Sequence, residues 1–309
     1  MKKSDGNYVG NANFKSIQLT DISGTTLPDE GSYSLNGGGM KPLEPEDFIG
    51  SVGQRTGLGG LEANEDVRLV LCPDLMAGYD GSEAARQRVK AVQDAIITHC
   101  EQMRYRFAIL DTPPGLTPAE AKDWRDYLGS QSSYAGLYYP WVEVPDLSNG
   151  GTKLVPPSGH IAGVYNRVDS ERGVHKAPAN EVIRGVVATE INISRKEQDN
   201  LNPVGVNCIR SFANRGIRIW GARTLSTSGS WTYISVRRLF IYVEASMDAS
   251  LQWVVFEPND PTLWGKITRD VTSFLRSVWG SGALFGATEQ DAFYVKCDSE
   301  LNNSEIRDM

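Results

Sequence analysis

The sequence is poor in the residues on which most hydrolytic and metal sites depend, with 3 histidines and 4 cysteines among 309 residues. Cys72, Cys100, Cys208 and Cys297 lie far apart, with neither the CxxC spacing of a zinc or redox motif nor the density of a disulfide-stapled domain. They are expected to be free, buried thiols. Positive charge is also scarce: 31 Lys and Arg face 38 Asp and Glu, for a formal net charge of -7. That balance argues against a general phosphate-binding face, and so against nucleic acid as a partner. No stretch approaches the roughly 20 apolar residues that span a bilayer. The opening Met-Lys-Lys runs into Ser-Asp-Gly-Asn, where a signal peptide requires an apolar core. Assembly in the cytoplasm, without membrane insertion, is therefore expected. Heptads and internal repeats are absent as well.

What is present is a globular composition, 40% hydrophobic and 22% charged, sufficient for one large core or two modest ones. Residues 1–50 are rich in Gly, Ser, Asn and Asp, with Gly37, Gly38 and Gly39 ahead of Pro42 and Pro45. This pattern predicts loop with one or two short strands. From Arg55 to about Pro145, short apolar runs (Val67–Cys72, Phe107–Leu110, Ala135–Val144) alternate with amphipathic stretches, which predicts a parallel sheet with crossover helices. One helix should span about Ser82 to Arg104, with Ala85, Val89, Val92, Ile96 and Cys100 on one face. The next should start at Thr117 as N-cap with Pro118 at N1 and Glu120 in the first turn, and stop at Gly129. Residues 145–160 read as a loop, and a soft boundary falls near Lys176. Beyond it, Val206–Phe212 and Ile217–Trp220 should form a hairpin through Asn214-Arg215-Gly216. Helices are predicted over Ser235–Ser250 and from Pro261 to Val278, capped by Asp260, with a last strand at Ala292–Cys297. The fold class is thus α/β over 51–175 followed by α+β over 176–309, after a loop-rich 1–50 segment.

Candidates for chemistry are few. Asp111 ends a predicted parallel strand, where open α/β sheets place their ligands. With Ser158 and His160 it permits a Ser-His-Asp arrangement, the alternative of an α/β hydrolase, but no GxSxG elbow supports it. An Asp111 carboxylate accepting backbone N–H groups in the following turn is the simpler role. His99 closes a helix, where an imidazolium suits the negative end, and has no second ligand at helical spacing. Thr56-Gly57-Leu58-Gly59-Gly60-Leu61 has the glycine content of a phosphate loop, but it precedes its strand and lacks the Lys-Ser/Thr pair. Tryptophans 220, 231, 253, 264 and 279, with Arg237 and Arg238, are expected in core packing and an interface. No cofactor and no metal are expected.

Five segments in order bring a family into view: DFIGSVGQRTGLGGLE (47–62), VPPSGHIAGVYNRVDSERGVHKAPANE (155–181), NRGIRIWGARTLS (214–226), SVRRLFIYVEASMDASLQWVVFEPND (235–260) and LFGATEQDAFYVKCD (284–298). Together they resemble the sheath proteins of contractile phage tails and of phage-tail-like injection systems. The resemblance implies a structural, non-enzymatic subunit with a subtilisin-like middle domain. It implies self-assembly in rings of six, stacked helically on an inner tube protein, with baseplate and tail-terminator proteins as further partners. It also implies contraction without nucleotide, in a particle that can be released from the cell. The N-terminal strand segment and apolar C-terminal arm of the family are not seen: the sequence closes on polar Asn302 to Met309. Poor polymerisation of this chain alone is the corresponding expectation. Within the family the C-terminal domain faces the tube. Lys266, Arg269 and Arg276 fall along one stripe of the last long helix and are the candidate inner-tube contact. Gly173, Pro178 and Asn180 mark a candidate interdomain connector.

Overall fold

The computed structural model describes residues 43–303 in full, together with the backbone of three short strands nearer the N-terminus. Two compact units divide at Pro42/Leu43. The first holds β1 (Lys2–Ser4), β2 (Asn7–Val9) and β3 (Ile17–Gln18), an antiparallel sheet in that order, one strand more than the sequence suggests. The Gly37–Gly39 run and the polar residues 304–309 lie outside the described residues.

The second unit contains, in order, α1 (Pro45–Ile49), α2 (Gly57–Leu61), β4 (Leu69–Val70), α3 (Glu83–Met103), β5 (Phe107–Asp111), α4 (Pro118–Leu128), β6 (Ala135–Tyr139), β7 (Val142–Pro145), β8 (Thr152–Val155), α5 (Ser158–Arg172), β9 (Ala188–Thr189), α6 (Arg195–Leu201), β10 (Val206–Phe212), β11 (Gly216–Ile219), α7 (Ile234–Ser250), α8 (Pro261–Gly280) and α9 (Glu289–Ala292). The main sheet has the order β11-β10-β6-β5-β4, parallel except for the β10–β11 hairpin. A smaller antiparallel sheet has the order β8-β7-β9.

The helix starts predicted at Thr117 and Asp260 follow the expected chemistry, and Ser82, where the sequence places only the start of a helix, adds a cap: its Oγ accepts from Ala85 N at 3.1 Å. Thr117 and Glu120 form a capping box at α4, which ends at Gly129 in the left-handed region. Asp260 Oδ1 accepts from Leu263 N at 2.8 Å. The hairpin turn also forms as expected, with Asn214 at φ 59° and Gly216 at φ 74°.

Four features differ. Pro45–Ile49 is helical, because Glu44 and Asp47 build a capping box around Pro45 at N1. The 145–160 segment is not all loop: Thr152–Val155 pairs with β7, and α5 starts at Ser158. Ala292–Cys297 forms no strand; Ala292 ends α9, and the residues after it pair with no strand among the described residues. Strands β10 and β11, which follow the boundary placed near Lys176, lie in the same sheet as β4–β6, with Val206 opposite Leu137.

Alternation along the strands sorts the core into two layers. Ala108, Leu110, Leu137, Tyr139, Val206 and Cys208 meet Val89, Val92, Ile96, Trp124 and Leu128 of α3 and α4 on one face. Phe107, Ile109, Tyr138 and Ile209 meet Ile161, Val164, Tyr165 and Val168 of α5, with Ile234 and Ile241 of α7, on the other. Helix α7 can start this close because Gly136 lacks a side chain: a Cβ there would lie 3.1 Å from Ile234 Cδ1.

Two consecutive arginines fasten α7. Arg238 makes a two-pronged bond to Asp169 of α5, at 2.9 and 2.5 Å, and its guanidinium lies 4.6 Å from the Tyr165 ring centre. Arg237 stacks 3.5 Å from the centre of Trp231 and 4.5 Å from Tyr134, and donates to Ser133 Oγ at 2.9 Å. Both arginines are buried. Helix α8 is covered far less: Leu263, Trp264 and Val278 are its buried residues.

Removing one partner of a largely buried ion pair leaves the other charge uncompensated. Asp169→Ala should therefore destabilise the protein by about 3 kcal/mol in urea unfolding, and Arg238→Ala should add little to it in the double variant. Additive effects would show that the two do not act as a pair.

Candidate functional site

The carboxyl ends of the parallel strands, where ligands bind in many open α/β sheets, are packed here with polar groups serving the fold. Asp111 ends β5 fully inside the protein, and its Oδ1 accepts the Ser158 N–H, the first amide of α5, at 2.8 Å. An anion at a helix start is favourable, but burial dominates and pushes the Asp111 carboxyl up to about 7, with the Ser158 hydrogen bonding opposing the rise. His160 is half-buried one turn into α5, and burial holds its imidazole below the ordinary range. Among the described residues no hydrogen bond joins His160 to Ser158 or Asp111, so the nucleophile–base contact of a Ser-His-Asp triad is not formed. His160 instead lines an apolar recess of about 750 Å³ with Trp141, Val144, Pro145, Met76 and Val155.

The remaining candidates also have structural partners. His99 Nε2 lies 2.5 Å from Arg106 Nη1. A guanidinium can only donate, so the imidazole is neutral there, and burial followed by the Arg106 charge lowers its pKa. The Thr56–Leu61 glycines form α2, whose Gly60 N–H is committed to Thr56 O at 2.8 Å. All four cysteines are free; burial raises the thiols of Cys100 and Cys208 to about 12. Among the described residues no cluster of His, Cys, Asp and Glu could hold a metal ion, and no helix is long and apolar enough to cross a membrane.

Lys266, Arg269 and Arg276 are all exposed on α8. Their commitments differ. Arg276 grips Glu289 of α9 with two bonds at 2.7 and 2.9 Å. Arg269 pairs with adjacent Asp270 at 3.0 Å. Lys266 makes no ion pair among the described residues. Gly173, Pro178 and Asn180 are brought together as one strap. Gly173 ends α5 at φ 93° and Pro178 is buried. Asn180 donates its N–H to Ile219 O at 2.8 Å and accepts Arg215 at its Oδ1, also at 2.8 Å. This strap fastens α5 to β11.

Sequence reasoning missed the surface that the C-terminal elements leave uncovered. Phe256 and Phe285 are fully exposed and Tyr294 is 86% exposed. Phe256 also sits at φ 71°, a region bulky side chains avoid. Its place between two helices and two residues before Pro258 was the available signal. A second missed feature is a recess beside β10 and β11, lined by Arg195, Gln198, Asp199, Arg210, Phe212 and Trp220. Large exposed apolar groups of this kind mark interaction surfaces.

The Asp111 environment makes a signed prediction. Its folded pKa lies above the unfolded value of about 3.9, so its contribution to stability is complete below pH 4 and is lost as pH rises to about 7. Asp111→Asn keeps an oxygen for the Ser158 amide and has no proton to lose. The Tm of the parent chain should thus fall more than that of the variant between pH 4.5 and 7.5, whereas parallel profiles would mean Asp111 titrates normally.

Comparison with known proteins places these surfaces in context. Residues 60–225 match the model of the phage tail sheath protein central domain, and residues 226–308 match that of the phage tail sheath C-terminal domain. The tail sheath protein of Burkholderia phage BcepMu is 28% identical over 260 residues, covering 78% of this chain and 52% of that protein. Across the curated relatives compared, the chain spans 31% to 63% of their length. A chain in the baseplate of the anti-feeding prophage superposes with a TM-score of 0.64 at 28% identity, covering 93% of both chains. The helical sheath of the same particle in its contracted state gives 0.63 at 33% identity, over 79% of this chain and 65% of that one. With the central-domain model covering more than half of the sequence and the C-terminal model continuing from its last residue, the chain belongs to the phage tail sheath protein family.

Proposed function

We propose that the chain is a building block of a contractile sheath: it assembles with copies of itself, in rings of six stacked helically around an inner tube, and shortens on triggering to drive that tube through a target envelope. The observation that carries this reading is the match at 33% identity to a helical sheath captured in its contracted state. No cofactor is needed, because the work comes from the free-energy difference between two packings of the same subunits. The structure suits the task. A rigid three-layer core, fastened by α7 and the Gly173–Asn180 strap, can move as a body while its uncovered C-terminal elements change partners.

The same reading assigns the partners. The match over 93% of both chains to a chain of a baseplate structure supports a position in contact with a baseplate; a tail terminator at the far end is what membership of the family implies. Assembly takes place in the cytoplasm, in a phage tail or a phage-tail-like particle. The fold of 51–175 is read as subtilisin-like, and 176–309 as the assembly half, whose first part, to residue 225, completes the sheet. The hydrolase alternative is disfavoured by the commitment of Asp111 to the Ser158 backbone. The Gly173–Asn180 connector joins α5 of the first half to the β10–β11 hairpin of the second and holds them together, and the Lys266, Arg269 and Arg276 stripe faces the tube. Rim-type charges of this kind contribute little each and are screened by salt, which fits a contact that must break on contraction.

The test is electron microscopy of the chain mixed with its own particle's inner tube. Decorated tubes are expected. The Lys266→Glu, Arg269→Glu, Arg276→Glu triple variant should decorate them at least about tenfold less densely, the loss set by reversal of three charges at one contact. A chain that never decorates tubes and instead hydrolyses esters would sink the sheath reading. Normal decoration by the triple variant would sink only the assignment of the stripe.

A further inference from the structure

We propose that the β10–β11 hairpin carries a docking cleft for the exposed Val255–Glu257 turn of a second copy of this chain. The inference rests on the self-assembly put forward above and names the chemistry of one contact within it.

The cleft is a recess of about 480 Å³ lined by Arg195, Gln198, Asp199, Arg210, Phe212 and Trp220. The rings of Phe212 and Trp220 lie 4.6 Å apart, tilted by 53°. The Arg215 guanidinium stands 5.2 Å from the first ring centre and 5.4 Å from the second, and Arg210 lies 5.1 Å from Phe212. Arg210 donates only to neutral acceptors, Ile193 O at 3.0 Å and Gln198 Oε1 at 2.8 Å. Arg215 donates to Asn180 Oδ1. Among the described residues none of Arg195, Arg210 and Arg215 forms an ion pair. Asp199 is the acid in the lining, against Arg195 and Arg210 there and Arg215 beside the two rings, so the site is net positive on a chain whose net charge is -7. Such a cleft fits a flat hydrophobic group next to a carboxylate.

The Val255–Glu257 turn supplies that pair. Phe256 is fully exposed, and its left-handed φ of 71° holds the ring away from its own helices. Strain at a bulky residue persists where the surroundings or a partner require it. Val255 beside it is 55% exposed. Glu257 is exposed and forms no ion pair among the described residues, and the following Pro258 restricts it to extended backbone, so an acid follows the Phe256 ring directly along the turn. In the contact, the Phe256 ring packs on Trp220 and Phe212 while Glu257 pairs with Arg215 and Arg195. The turn and the cleft are different surfaces of one chain, so the contact is head-to-tail and leaves a free turn and a free cleft at each end. That arrangement propagates into rings or helical polymers and does not close as a dimer.

Two full-length variants test it in sedimentation experiments over a range of concentrations. Phe256→Ser removes the ring, and Arg215→Glu spoils the cleft; circular dichroism checks that each is folded, with Arg195→Glu replacing the second if it is not. Wild type should form concentration-dependent oligomers. Each variant alone should self-associate at least about tenfold more weakly, as expected for an aromatic or arginine anchor. An equimolar mixture should recover association but stop at heterodimers, because only one good pairing exists between the two. A wild type that stays monomeric throughout, variants that associate like wild type, or a mixture no better than its components would each overturn the proposal. Decoration of tubes is read independently, so normal decoration with a failed mixing experiment rejects this contact and leaves the sheath reading intact.

Discussion

The parallel sheet must be covered on both faces, and the rest of the molecule is arranged to meet that requirement. Its strands read as continuous apolar runs because neither face meets water. On one face the cover is local, supplied by α3 and α4, the crossover helices themselves. On the other it depends on α5 and on α7, which follows the last strand by 14 residues and belongs to the C-terminal part of the chain. The Arg238–Asp169 pair and the Arg237–Trp231 stack therefore do more than fix a helix. They join the C-terminal elements to the core.

This cover has a consequence for the strand ends. In many α/β proteins they are left open for a ligand, but here Asp111 faces the start of α5 and is closed in by it. A carboxyl group held near pH 7 by burial could suggest catalysis, yet its one directed contact is to a helix amide. The polar chemistry has been absorbed by the fold, and the surfaces proposed for interaction lie elsewhere: the α8 stripe, the Phe256 turn and the arginine-rich hairpin.

Local features were legible in the sequence because their causes are local. Thr117 and Asp260 cap helices by bonding an amide three residues away, and Asn214-Arg215-Gly216 turns because two of its residues accept positive φ. Features set by distant pairing were not. Nothing in Thr152-Lys153-Leu154 announces a strand, since its reason for extending is Val144 and its neighbours on β7. Ala292–Cys297 has the apolar content of a strand but pairs with none among the described residues, and Tyr294 is exposed. The soft boundary near Lys176 followed loop composition, whereas Val206 pairs with Leu137 across it. The arginine pair 237–238 was seen, but its burial against Asp169 and Trp231 could not be read from charge alone.

On the sheath function proposed above, the core, which includes α7, is complete in itself, and the C-terminal surfaces are completed by other subunits. Hydrogen exchange of backbone amides, compared between the free chain and the assembled particle, tests that division most directly. In the free chain α7 should be protected as strongly as β5 and β6. Residues 252–260 and the exposed face of α8 should exchange fast and become protected only on assembly. Strong protection of those segments in the free chain, or none gained on assembly, would contradict the account.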